Sequence, residues 1–137
     1  MRYGVDAVFN GHDEMYEHSV VPGMEILPGG RERKHDIHFF DVGIGGDGLR
    51  GPVHDVPNPY RVFLADSDAP EVWSPQGVLI DGGKHYGHLE VNVGRDEQGR
   101  WQARMDPVYI FPVMQAEDGR VVRFERRVYA DPVTLTR

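Results

Sequence analysis

Alternation of apolar and polar residues is clearest in the last third of the chain. Within residues 88–93 the apolar side chains fall on one face of an extended segment and the polar ones on the other. A Gly- and Asp-rich stretch at 94–100 then turns the chain, and residues 101–105 return with the same alternation. This pattern predicts an antiparallel hairpin.

A second hairpin is predicted directly after the first. Two apolar-rich segments, 108–114 and 121–130, flank the pair Asp118–Gly119, which is a favourable hairpin turn. No segment of useful length has the 3.6-residue period of a helix. The chain is therefore expected to be mainly β, with antiparallel strands, hairpins and little helix.

The first half of the chain has two shorter apolar runs. Residues 5–9 end just before Gly11, and we expect them to form a buried strand that leads into a loop. Residues 37–44 form the second run, which the pair Gly45–Gly46 closes. The Pro-, Gly- and Asp-rich stretch 47–76 is largely irregular, and such long segments in compact domains are usually functional or mobile.

Composition narrows the function classes. A length of 137 residues suits a single domain over 1–137. The formal net charge of −7 argues against a nucleic-acid partner, which needs clustered Lys and Arg. No apolar stretch approaches the roughly 20 residues of a membrane helix, so we expect no membrane partner. The absence of cysteine excludes thiolate ligands and leaves a cytoplasmic and a periplasmic or extracellular location equally open.

A dense polar cluster, FNGHDEMYEH, occupies residues 9–18. Residues two apart on an extended segment point to the same side, so His12 and Glu14 would face one point. Gly11 lets the backbone bend just before them. An imidazole with a carboxylate suits Mn, Fe or Zn, although one or two further ligands must come from elsewhere. The alternative is a polar loop in which His12 caps backbone groups.

The segment YGVDAVFNGHDEMYEHS resembles the last metal-binding motif of the calcineurin-like metallophosphoesterases, especially their purple acid phosphatase-like and alkaline phosphatase-like branches. In that family a strand ends in Gly-His-x-His and is often followed by an aromatic residue, Glu and Arg. Gly11–His12 and Tyr16–Glu17 match this motif. Further along, FFDVGIGGDG and YGHLEVNV resemble the family's glycine turn and late Gly-x-Leu-x-Val strand, so the resemblance extends over most of the chain.

This resemblance implies a fold, a site and an activity. The fold would be the C-terminal half of an α/β four-layer metallophosphoesterase sandwich. His12 would be a catalytic metal ligand, and Glu14 would replace the family's second histidine as a ligand. The site would bind two divalent ions (Fe, Mn or Zn) and hydrolyse phosphate mono- or diesters with metal-activated water. His18 stands in the place of the family's arginine, and an exchange of ligand roles between Glu14 and His18 stays open.

The family's upstream ligand motifs, Asp-x-His, Gly-Asp and Gly-Asn-His, do not precede His12 here. A Gly-Asp pair occurs only after it, at Gly46–Asp47. We therefore expect the site to be completed by a missing N-terminal half of the domain. The isolated chain is expected to be inactive and can be free of metal. The sheet edge left open by the missing half also favours a homo-oligomer.

Two further pairs of histidines have i, i+3 spacing. His35 and His38 form one pair, and His85 and His88 form the other. On a strand this spacing sends the two rings to opposite faces, so half-exposed histidines with ordinary hydrogen bonds are the simplest interpretation. His85 and His88 follow a loop-like segment, and we predict them as weak substrate-binding candidates that contact a phosphate.

Two other function classes stay open. The chain can be a non-catalytic β-rich binding or interaction module. It can also be a small cupin-like metalloenzyme with His12, Glu14 and His18 as its ligands.

Overall fold

The computed structural model describes residues 4–46, 48–51 and 57–137. The expectation of a mainly β chain is confirmed, because this described part contains twelve strands and a single four-residue helix. Within it, no helix is long and apolar enough to cross a membrane. The elements in chain order are β1 (Ala7–Asn10), β2 (Tyr16–Val21), β3 (Met24–Ile26), β4 (Glu32–Lys34), β5 (Ile37–Val42), β6 (Arg61–Leu64), α1 (Ala65–Asp68), β7 (Val72–Trp73), β8 (Leu79–Asp81), β9 (Gly87–Arg95), β10 (Trp101–Met114), β11 (Val121–Val128) and β12 (Val133–Thr136).

The first sheet contains four strands in the order β1-β5-β2-β6. β1 runs parallel to β5, with Phe9 opposite Phe40 and Asn10 opposite Asp41. β2 is antiparallel to both β5 and β6. The parallel pair therefore brings the carboxyl ends of β1 and β5 to the same end of the sheet.

The second sheet is built on the fourteen-residue strand β10. β9 pairs with one side of it, while β11 and β12 share the other side. Both predicted hairpins are present, and Gly119 in the second turn has a left-handed φ of 67°, which glycine adopts without strain. Pro112 pairs only with β11, since β9 ends its pairing at Tyr109, so the missing N–H of this proline leaves no ladder bond unmade.

The hydrophobic core lies between the two four-stranded sheets and contains side chains from both. Its largest fully buried members include Tyr16 and Phe40 from the first sheet and Met105 and Phe111 from the second. The alternation of β2, β5 and β10 supplies these residues, because every second side chain points to the same face. Burial of these apolar faces is what holds the two sheets together.

The apolar run at residues 5–9 is not a buried strand, as its composition suggested. Within the described chain β1 pairs only with β5 and forms an edge, where Val5 is 41% and Phe9 52% exposed. The core-facing side of the second sheet extends beyond the edge strand β1 and is uncovered there. Val93 and Trp101 on this side are 68% and 55% exposed. Val93 lies opposite Ala103, on the same face as buried Met105. An apolar groove of about 320 Å³ results beside β1.

The core assignment predicts a large effect for a truncation on β10. Met105 is 1% exposed, so Met105→Ala should lower the free energy of unfolding by about 2–5 kcal/mol through lost burial and the cavity left behind. Urea denaturation followed by tryptophan fluorescence measures this change. Met114→Ala, at the half-buried end of the same strand, is the matched control and should cost clearly less. Equal losses for both variants would contradict the position of the core.

Candidate functional site

The loop after β1 carries the two candidate metal ligands and lies at the carboxyl ends of the parallel strands. Asp41, near the end of β5, accepts a hydrogen bond from the Asn10 amide at 3.0 Å and longer ones from the backbone N–H groups of His12 at 3.4 Å and Asp13 at 3.5 Å. Gly43 comes so close to the loop that a Cβ on it would lie 1.8 Å from the Asp13 carbonyl oxygen. The loop is therefore held against the end of β5.

The pKa of the Asp41 carboxyl group depends on its position under this loop. Partial burial raises its pKa, and the neighbouring charge of Asp13 acts in the same direction. The backbone N–H groups of Asp13, His12 and Gly43 oppose this shift by stabilising the carboxylate. Because its oxygens are engaged with the loop backbone and with Asn10, Asp41 shapes the loop rather than offering a free ligand.

Glu14 has an oxygen that suits a cation. Its Oε2 lies 2.7 Å from Arg50 Nε, an ion-pair distance, yet the guanidinium N–H is not directed at it. This oxygen is shielded from solvent and accepts no hydrogen bond from the described residues. A buried carboxylate oxygen without a hydrogen bond is costly unless another group satisfies it. The Arg50 guanidinium supplies a positive charge to this oxygen in the present structure, and a divalent ion would have to share or replace that ion pair.

His12 presents an exposed imidazole beside Glu14. Within residues 4–46, 48–51 and 57–137 its ring makes no hydrogen bond or ion pair. Residues 13–15 form a bend, so the segment is not extended as the predicted alternation of side chains requires. Among the described residues no group of three or more His, Asp or Glu side chains surrounds a common point that could hold a metal ion. The described residues around His12 and Glu14 therefore do not by themselves form a metal site.

Comparison of the chain with protein-family models, with curated proteins and with solved structures gives no match.

A second polar constellation lies inside the core and centres on His18. His18 is 3% exposed, and its Nδ1 lies 3.1 Å and 3.0 Å from the two carboxylate oxygens of Asp131. Its Nε2 lies 2.9 Å from Nδ1 of His38, and its ring stacks on Phe40 at a centroid distance of 4.5 Å. Tyr16 donates its O–H to Asp131 Oδ2 at 2.8 Å. Two sheets meet in this network, since Asp131 lies between β11 and β12.

The hydrogen-bond roles in this network follow from Asp131. An ionised carboxylate only accepts, so His18 Nδ1 carries a proton and its Nε2 is the lone-pair nitrogen when the ring is neutral. His38 Nδ1 is then the donor to His18 Nε2. Burial, followed by the charge and hydrogen bond of Asp131, strongly raises the pKa of Tyr16, which keeps its hydroxyl group protonated as a donor.

The position of His18 removes it from the candidate metal loop. It faces the core from β2, while His12 is exposed in the loop before that strand. An exchange of ligand roles between Glu14 and His18, and a cupin-like ligand set of His12, Glu14 and His18, therefore do not fit this arrangement. His18 instead belongs to a hydrogen-bond network in the core.

The weak substrate-binding candidates lie in different environments. His85 is 8% exposed, its Nε2 lies 2.7 Å from the Gly82 carbonyl oxygen, and its ring packs against Tyr109 and Phe111. His88 is exposed on β9. A role in contacting phosphate stays a prediction for both, but His85 would have to leave its present contacts to fulfil it.

The His18 network was not predicted from the sequence, although the spacing of its residues within β2 and β5 gave part of the signal. Tyr16 and His18 are two apart on β2, and His38 and Phe40 are two apart on β5, so each pair shares a face. The antiparallel register then places His18 opposite Phe40. Asp131 lies more than a hundred residues further along the chain, and no local pattern pointed to it.

Close approach of Gly43 to the loop gives a test of how the loop is positioned. Gly43→Ala should displace residues 12–14, because the new Cβ would overlap the Asp13 carbonyl group. Backbone amide chemical shifts of residues 11–15 report the displacement. Gly45→Ala is the matched control, since a Cβ there meets no atom within 4 Å. Unchanged shifts in the Gly43 variant would contradict this packing.

The hydroxyl group of Tyr16 gives a second test. Tyr16→Phe removes a hydrogen bond to a carboxylate that is mostly buried, with 14% side-chain exposure. The free energy of unfolding should fall by about 1.5–3 kcal/mol at neutral pH, the usual range for hydrogen bonds to charged groups. Urea denaturation measures the loss, and Tyr86→Phe at a 48% exposed position serves as the control. A loss equal to that of the control would refute the bond.

Proposed function

We propose that this chain is the β-rich part of a binuclear metallophosphoesterase domain, in which His12 and Glu14 are metal ligands for the hydrolysis of phosphate mono- or diesters. The observation that carries this proposal is the loop 11–15, which holds an exposed imidazole and a solvent-shielded carboxylate oxygen, ion-paired with Arg50, at the carboxyl ends of two parallel strands. Ligand sites of open α/β sheets lie outside the carboxyl ends of parallel strands.

The candidate ligand atoms of His12 and Glu14 suit hard or borderline divalent ions. Imidazole nitrogen and carboxylate oxygen are ligands for Mn, Fe and Zn. A pair of such ions would activate water and stabilise the charge on a phosphate ester. The chain's own residues would hold the ligands in position: Asp41 through the loop backbone, and Gly43 through its close contact with Asp13. Arg50, with a 70% exposed side chain beside Glu14, would supply a cation for phosphate oxygens.

The open edge of β1 supports the view that further strands complete the site. An edge strand leaves backbone N–H and C=O groups unpaired, and here it borders the exposed apolar groove between Phe9 and Trp101. A strand added beside β1 would satisfy the backbone and cover the groove at the same time. That strand would come from the missing half of a four-layer sandwich and would bring the remaining ligands. Pairing of β1 edges between two copies is the alternative occupant.

Activity and metal content test the proposal together. The complete translation product of the reading frame that contains this chain should bind about two divalent ions per chain. It should also hydrolyse p-nitrophenyl phosphate or its bis-ester. His12→Ala should lower turnover at least about tenfold, a loss of ~1.4 kcal/mol in transition-state stabilisation. Gln98→Ala, in the exposed β9–β10 turn, is the control and should keep full turnover.

Each result bears on a different part of the proposal. A complete product without metal and without hydrolysis would refute both the site and the activity. Bound metal without hydrolysis would refute the phosphoesterase and favour a binding module. Tight stoichiometric metal bound by the 137-residue chain alone would refute the incomplete site. Unchanged turnover and metal content in His12→Ala would refute His12 as a ligand.

A further inference from the structure

We propose that a pocket on the outward face of the first sheet binds a small organic cation, in which an ammonium or guanidinium group is carried on an apolar body. The pocket has a volume of about 300 Å³, at the lower end of the range of small-molecule sites. This inference does not depend on the proposed phosphoesterase activity or on the candidate metal ligands His12 and Glu14.

The floor of the pocket is formed by alternate side chains of β2 and β5. Glu17, Ser19 and Val21 of β2 contribute to it, and so do Phe39 and Asp41 of β5. The residues between them point to the core, because successive side chains of a strand lie on opposite faces. The pocket is therefore separate from the hydrophobic core.

Two walls stand beside this floor, and each is held by hydrogen bonds. In the turn before β6, Asn58 donates to Glu17 Oε1 at 2.7 Å, and its Oδ1 accepts from the backbone N–H of Tyr60 at 3.0 Å. At the end of β1, Asn10 donates to Asp41 Oδ2 at 3.0 Å. These bonds fix both walls, so few side chains would have to be ordered on binding.

The hydrogen-bonding capacity that remains in the pocket is mainly that of acceptors. Glu17 Oε2 and the Asp13 carboxylate make no hydrogen bond with the described residues. Asp41 Oδ1 receives a long bond of 3.4 Å from the backbone N–H of His12. An occupant that satisfies these oxygens must donate hydrogen bonds, and ammonium and guanidinium groups are donors only.

The charges of the lining residues favour a cation. Three carboxylates line the pocket, those of Asp13, Glu17 and Asp41, and no Lys, Arg or His from the described part of the chain joins them. Burial raises the pKa of Asp41, the backbone N–H groups of the loop oppose this, and the negative charge of Asp13 raises it further. A bound cation would offset the repulsion between these neighbouring carboxylates.

Aromatic and aliphatic side chains in the same pocket indicate an organic cation rather than a bare metal ion. Phe39 and Tyr60 line it together with Met15 and Val21. Aromatic rings attract ammonium and guanidinium groups through their π-electrons. In the described ranges, moreover, no three His, Asp or Glu side chains surround a common point that could hold a metal ion. The carboxylates thus determine the sign of the ligand's charge, and the apolar lining indicates its carbon body.

The experiment titrates the protein at pH 7 with phenethylamine, which is protonated, and with 2-phenylethanol, its neutral counterpart of the same size. In ¹H–¹⁵N spectra phenethylamine should shift the amides of residues 17–21 and 39–41 in a saturable manner. The alcohol should bind at least about fivefold more weakly, because it carries no charge for the carboxylates. Equal affinities, or no saturable shifts at these residues, would overturn the proposal.

Two variants test the charge and the aromatic wall separately. Glu17→Gln removes one charge with little change in shape, and Tyr60→Leu removes an aromatic ring. Each should weaken phenethylamine binding at least about threefold. Glu97→Gln in the exposed β9–β10 turn and Tyr86→Leu at a 48% exposed position are the matched controls and should retain wild-type affinity. Equal affinities in the pocket variants and the controls would overturn the assignment, and the two-ligand comparison on the wild type decides it if a variant fails to fold.

Discussion

The Asp131 carboxylate is the contact on which the arrangement of the two sheets depends. It accepts from Tyr16 and His18 of the first sheet and belongs to the segment that joins β11 and β12 in the second. A mostly buried carboxylate is costly unless hydrogen bonds satisfy it, so these donors stabilise the packed arrangement of the two sheets. The adjacent aromatic rings continue this contact, since Tyr129 stacks on Tyr16 at 6.0 Å and on Tyr109 at 4.2 Å.

β2 connects this core network to the candidate metal loop. The loop ends where β2 begins, so its position depends on Tyr16 at one end and on Asp41 and Gly43 at the other. The loop carries the exposed imidazole of His12 and the carboxylate of Glu14, whose Oε2 is shielded from solvent and ion-paired with Arg50. The fold thus fixes the position of this loop against the end of β5.

Local patterns predicted the two C-terminal hairpins well, because their strands are adjacent in sequence and each alternates in polarity. They failed for residues 5–9, where an apolar run was interpreted as buried although β1 is a half-exposed edge. Hydrophobicity alone cannot distinguish a strand that is covered on both faces from one that forms a half-exposed edge. The same reason explains why Val93 and Trp101 have core-like spacing but are exposed.

The amino-acid sequence by itself determined that the chain is mainly β, where its hairpins turn, and that His12 and Glu14 lie together in one loop, since these depend on neighbours within a few residues. Only the tertiary structure decided that His18 belongs to the core, that Asp131 is its partner across 113 residues of chain, and that the Glu14 oxygen lacks a hydrogen bond. The physical reason is that burial and hydrogen-bond satisfaction are properties of the packed sheets. Residue spacing predicts on which face of a strand a side chain lies, but it does not predict which other residues pack against that face.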